Sequence, residues 1–122
     1  MDSRQIGEKL VELCRQGKNL DAVNTLYSPN IVSVEAQGDE QMPAEMRGLD
    51  AIRGKNEWWI SSHEVHSANA EGPFVNQDRF SVLFDFDVTA KSGPMSGQRM
   101  QMKEVAVYTV GDGKIVREDF FY

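Results

Sequence analysis

An α+β fold follows from three features of this 122-residue chain. A central segment alternates along its length, with Phe80, Val82, Phe84, Phe86 and Val88 standing between Arg79, Ser81, Leu83, Asp85, Asp87 and Thr89. That is the period of a strand with one buried face. Three amphipathic helical stretches precede it. The closing stretch Met100–Tyr122 reads as two long strands joined at Asp112-Gly113, a hairpin signal because both turn residues must accept φ > 0. An apolar sheet face must be covered, and helices gathered on one face of a curved, mostly antiparallel sheet make an α+β domain. Strands this long curl, and the gap between a curled sheet and its helices is a natural cavity.

The elements follow in order. Ser3 can cap a first helix on which Ile6, Leu10, Leu13 and Cys14 recur at helical spacing, with Gly17 as its C′ residue. Asn19 can cap a second helix with Leu20, Val23, Leu26 and Tyr27 on one face, ended by Pro29. Ile31–Glu35 is β-branched enough for a short strand, and Gln37–Gly48 reads as a loop whose Met42 and Met46 can close over a pocket. Asp50 can cap a third helix to about Ser62, with Ile52, Trp59 and His63 near one stripe. Strands are then expected at about Glu64–Val75, Arg79–Ala90, Arg99–Val110 and Ile115–Tyr122. No repeat, linker or low-complexity tract interrupts this order, so residues 1–122 are expected to form a single domain.

Composition bounds the function. The chain is 40% apolar and 26% charged, ordinary for a soluble globular protein. Its net charge of −6 argues against nucleic acid, whose phosphates need a basic face. Without a basic amphipathic stretch or a long apolar run, a membrane partner is not expected either. Cys14 is the only cysteine, so no internal disulfide is possible, which with the lack of a signal-like N-terminus leads to a cytoplasmic expectation. Cys14 itself reads as apolar filler. His63-Glu64-x-His66 straddles a helix end with no third convergent ligand, so neither a metal nor another cofactor is expected.

The order of elements, Ala51-Ile52 after Gly48, and Asp112-Gly113-Lys114-Ile115-Val116 together resemble the nuclear-transport-factor-2-like superfamily, and within it the SnoaL-like proteins. The resemblance spans nearly the whole chain. It implies a cone-shaped α+β barrel with one closed end, often a homodimer through the outer sheet face. Members include ketosteroid isomerase, polyketide cyclases, limonene epoxide hydrolase and modules that only bind, so the fold alone does not fix the chemistry. Ketosteroid isomerases carry a catalytic carboxylate in a Glu-Asp pair after the first strand; here Glu35-Ala36 puts alanine at the base position. They also use a tyrosine on the first helix, which this helix lacks. Limonene epoxide hydrolases place an aspartate on the last strand where this chain has Phe120.

The hairpin register selects the cavity acid. With a two-residue Asp112-Gly113 loop, Gly111 pairs with Lys114, Val107 with Glu118, Val105 with Phe120 and Lys103 with Tyr122. The likeness to ketosteroid isomerase puts this set, with Val116, on the concave side, and Glu104, Tyr108, Arg117 and Asp119 outside. A one-residue slip exchanges the faces and brings Asp119 in. Glu118 is preferred because Phe120 and Tyr122 share its face. Among Trp59, Phe84, Phe86 and Phe120, desolvation raises a carboxylate's pKa toward that of a general acid or base. His63 can share its proton, and Tyr122 can donate to a carbonyl or enolate oxygen. The expectation is a small, largely apolar ligand in the cone, with Glu118, His63 and Tyr122 as catalytic candidates. Trp59, Phe84, Phe86, Phe120, Val105 and Glu35 are the lining candidates. The alternatives are a non-catalytic binding or dimerisation module, or a protein-association domain using an outer face of Met100, Met102, Ala106 and Tyr108.

Overall fold

Helix α1 (Ser3–Arg15) starts where the Asp2 side chain accepts from the Gln5 backbone and the Gln5 side chain returns to the Asp2 amide, a reciprocal cap one residue before the expected Ser3. It ends at Gly17, whose φ of +73° suits the left-handed turn. The remaining elements of this computed structural model, which describes residues 1–122, are α2 (Asn19–Leu26), β1 (Tyr27–Val34), β2 (Glu45–Arg47), α3 (Leu49–Ser62), β3 (His63–Asn76), β4 (Arg79–Ala90), β5 (Arg99–Gly111) and β6 (Lys114–Phe121). The three helices and four long strands match the expected pattern. Two details do not. β1 begins at Tyr27 and runs through Pro29, with an irregularity in its pairing to β6 before Val32, and the expected loop contains the short strand β2 paired to β1.

The strands form one sheet in the order β2-β1-β6-β5-β4-β3, antiparallel throughout except for β1 beside β6. The two edge strands do not pair, so the curled sheet remains open. α1 packs closely enough on β3 and β4 that a Cβ on Gly7 would stand 2.7 Å from Pro73 and 3.1 Å from Phe80. Ile6, Leu10, Ala22, Val23, Ile31, Ile52, Phe80, Val82, Ala106 and Ile115 are buried between helices and sheet. This apolar burial, at roughly 25 cal/mol per Å², is the main stabilising term.

The closing hairpin departs from the expected register in one instructive place. Gly111 pairs with Lys114 and Val110 with Ile115, as a two-residue loop requires. A bulge at Val116 then shifts the ladder, so Tyr108 pairs with Glu118, Ala106 with Phe120 and Val105 with Phe121. Glu118 and Phe120 still face the helices, but their β5 partners are Tyr108 and Ala106, and not Val107 and Val105. Val105 is therefore not a cavity residue; it is 38% exposed on the outer face. Ala106 and Tyr108 are buried, which removes them from the expected outer association surface.

Candidate active site

Cross-strand register stacks the inward side chains in rows. Ser33, Glu118, Tyr108 and Phe80 form one row across β1, β6, β5 and β4. Phe120, Ala106 and Val82 form the next, followed by Glu104 with Phe84, then Met102 with Phe86. All four side chains of the first row are buried, and Lys55 of α3 reaches Ser33 and Glu118 at its β1–β6 end. Between sheet and helices lies a cavity of about 680 Å³, walled by Trp58, Trp59, Phe84, Phe86, Met102 and Phe120. Met42 reaches this cavity from the loop, while Met46 packs on the core.

The cavity's polar groups cluster around one buried carboxylate and one lysine. Glu118 is 1% exposed, and its Oε2 accepts a 2.5 Å hydrogen bond from the Tyr27 hydroxyl. Lys55, on α3, donates to Ser33 Oγ at 2.7 Å and Glu35 Oε1 at 2.8 Å, and its Nζ lies 3.8 Å from Glu118 Oε1. The same ammonium sits 4.8 Å from the centre of the Phe120 ring. Burial pushes the Glu118 pKa up, opposed by the Lys55 charge and by hydrogen bonds from Tyr27 and Ser33. Burial and the neighbouring Glu118 push the Tyr27 and Tyr108 hydroxyls well up, so both remain protonated donors. Burial also raises the Cys14 thiol to about 12, so this cavity-lining cysteine stays a neutral thiol.

Glu104 completes the cluster and is the group the sequence reading placed outside. It is half-buried beside the aromatic rows. Burial, with the charges of Glu35 and Glu118 against that of Lys55, raises its carboxyl from 4.5 to about 7. No hydrogen bond or ion pair from another side chain engages it, in contrast to Glu118 and Glu35.

The expected residues thus divide. Glu118, Glu35, Trp59, Phe84, Phe86 and Phe120 meet at the cavity. Tyr122 also lines it, but at the rim, 59% exposed, with its hydroxyl raised by burial and by the nearby Glu35. His63 does not join Glu118: its Nδ1 lies 2.9 Å from the Trp59 carbonyl and its ring stacks on Trp59 at 4.7 Å. His66 pairs with Thr89, so the two histidines do not converge. Lys55, Tyr27 and Glu104 were missed. Lys55 had a visible signal, since it stands on the Ile52–Trp59 stripe, where a lone cation among apolar residues needs an anion.

An open, curled sheet capped by three helices over a cavity places the chain among the cystatin-like and ketosteroid-isomerase-like α+β folds. Its particular family is the SnoaL-like domain family, whose model matches residues 1–122; the chain belongs to it. A solved structure from Mesorhizobium loti is 41% identical, covers 100% of both chains and superposes with a TM-score of 0.91. Its description names it provisionally a SnoaL-like polyketide cyclase and adds the label carbohydrate phosphatase, two unlike chemistries. A cystatin-like fold from Xanthomonas campestris is 17% identical at a TM-score of 0.77, covering 99% of this chain and 90% of that one. A ketosteroid-isomerase-like fold from Catenulispora acidiphila, solved with trimethylamine, is 16% identical at 0.72, covering 98% and 86%. These last two likenesses speak to fold alone. No curated protein matches the sequence. No helix is long and apolar enough to cross a membrane.

Proposed function

We propose that this domain binds a small, largely apolar molecule carrying one oxygen function and catalyses cofactor-independent proton transfer on it, as in an isomerisation or cyclisation. The observation that carries this reading is a cluster of titratable groups set in a mostly apolar cavity wall. Aromatic side chains line the cavity, while Lys55, Tyr27, Glu118, Glu35 and Glu104 gather at one place along it. An apolar body and a single polar function match that arrangement. The SnoaL-like family and the cyclase label of the Mesorhizobium relative agree with it. In this reading Glu118 holds the polar cluster together and Tyr122 closes the rim. His63 has no part.

The test uses 2-naphthol as a planar hydroxyl probe and 2-tetralone as a ketone with acidic α-hydrogens. Saturable quenching of Trp58 and Trp59 fluorescence by the first, and protein-catalysed deuterium exchange into the second, are expected. Absence of both sinks the proposal. Binding without exchange instead marks a non-catalytic ligand-binding module, a reading favoured by one observation: every fully buried side-chain polar atom already has a partner within the protein.

Self-association through the outer sheet face is part of the same proposal. Leu83, Val105 and Phe121 form a row there, with Val107 and Phe74 nearby, and Phe74, Val105 and Phe121 are exposed. Val105→Arg is expected to halve the sedimenting mass; an unchanged mass excludes this face.

A further inference from the structure

Resting on the proton-transfer reading above, we infer that Glu104 is the carboxyl that exchanges the proton with the bound substrate. Lys55 is the donor to the developing oxyanion, and Glu118 is a positioning residue that fixes Lys55 and Tyr27. The three carboxylates near Lys55 differ in what they already hold. Glu118 is sealed, with Tyr27 on one oxygen and Lys55 near the other. Glu35 is ion-paired to Lys55 at 2.8 Å. Glu104 alone has no side-chain partner, yet it lines the cavity on β5, directly across from Phe84 on β4. Of these three, only Glu104 can reach a ligand's C–H without first breaking a hydrogen bond or ion pair to another side chain.

Its surroundings suit the task. The groups facing it are Glu35 after β1, Lys55 on α3, Glu118 and Tyr122 on the β6 segment, and Tyr108 on its own strand; Phe84 contributes no charge. Their sum with burial sets the carboxyl at about 7, where a base is present in useful amount and its conjugate acid can return the proton. Lys55 stands over Phe120 and is held from behind by Ser33, Glu35 and Glu118. Its ammonium can therefore address an oxygen in the cavity without reorganising.

The step balances without any co-reactant. The Glu104 carboxylate removes a proton from the carbon beside a carbonyl. The C–H electron pair becomes the enolate C=C bond, and the carbonyl π pair moves to oxygen, where the Lys55 ammonium stabilises it. Return of the proton from Glu104 to the same carbon gives exchange, and to a conjugated carbon gives the isomer.

The experiment measures α-hydrogen exchange of 2-tetralone in D2O by NMR across pH, beside 2-naphthol binding by fluorescence. Wild-type exchange is expected to rise through an acid limb near pH 7. Glu104→Gln is expected to lose about a hundredfold in exchange, and with it the limb, while binding 2-naphthol within about threefold of wild type. Glu118→Gln is expected to lower exchange at every pH yet keep the limb, because its effect is transmitted through Lys55. Glu104→Asp, which retains a carboxyl set back by one methylene, is expected to keep a measurable limb, and this guards against misreading a folding defect. Exchange by Glu104→Gln close to the wild-type rate overturns the inference and leaves the proton-transfer reading standing. Wild-type binding without exchange overturns the inference and leaves only the binding module. Neither binding nor exchange overturns the pocket reading itself.

Discussion

The two faces of one sheet use acidic and basic side chains in opposite ways. Outside, Arg99 grips Asp87 through two hydrogen bonds of 2.8 and 2.9 Å, and Arg117 grips Asp119 at 3.0 Å, all four heads in contact with solvent. Inside, Lys55 has only 13% of its side chain exposed and serves Glu35 while standing near Glu118, with Glu104 also within its field. The outer pairs have better geometry. The inner cluster nevertheless matters more, because water screens the first and not the second. Good ion-pair geometry on a surface says little about function, whereas an imperfect and charge-unbalanced cluster beside a cavity says a good deal.

The strongest way to break this contrast is to remove the inner cation. Lys55→Met leaves the buried Glu118 with Tyr27 and Ser33 but no positive charge. Stripping one partner from a buried pair costs about 3–5 kcal/mol. Urea denaturation at pH 7 should show a loss of that order. The loss should shrink in acid, as Glu118 and Glu104 protonate and need the cation less. A change no larger than that of an outer-face pair would mean that the inner cluster is effectively solvated.

A second, smaller effect sharpens the contrast through pH. The Glu104 carboxyl titrates at about 7 in the fold against 4.5 ordinarily. The folded protein therefore holds a proton that the unfolded chain has already released between those values. The contribution is fully present below the unfolded value and is lost as pH rises through the folded one. At about 1.4 kcal/mol per pKa unit the loss totals about 3 kcal/mol. Glu118, also raised, acts with the same sign. Glu104→Gln should flatten the part of the stability profile between about pH 4.5 and 7 that belongs to this group. An unaltered slope would show that Glu104 is freely hydrated.

How far the sequence could show these two faces depends on the kind of signal. The alternation Phe80–Val88 and the Asp112-Gly113 turn gave β4 and the hairpin loop, because period and turn chemistry are local. Glu118 was found because β6 beyond Val116 keeps its own alternation. Val105 was misplaced, and Glu104 and Tyr108 were turned outward, because the bulge at Val116 inverts the β5 partners of β6. A bulge leaves no mark in composition, and Val116 is an ordinary strand residue. The short strand β2 was hidden for a related reason. Its three residues are too few for a period, and they are held by pairing Val32, Ser33 and Val34 with Arg47, Met46 and Glu45.

The smallest expected effect tests the outer face directly. Asp87 is held below the ordinary carboxylate range by its hydrogen bonds and charge pairing with Arg99, so the pair looks like a stabilising element on geometry alone. Yet the Arg99 side chain is mostly in water, and ordering a long side chain offsets much of a screened attraction. Asp87→Asn should leave the urea midpoint indistinguishable from wild type, both in low salt and at an ionic strength that shortens the screening length to a few ångströms. It should also leave 2-naphthol binding unchanged, since Asp87 points away from the cavity. A clear salt-dependent loss of stability would show that the outer ladder is coupled into the sheet's curvature. The inner cluster's geometry would then depend on both faces, and the division drawn between them would fail.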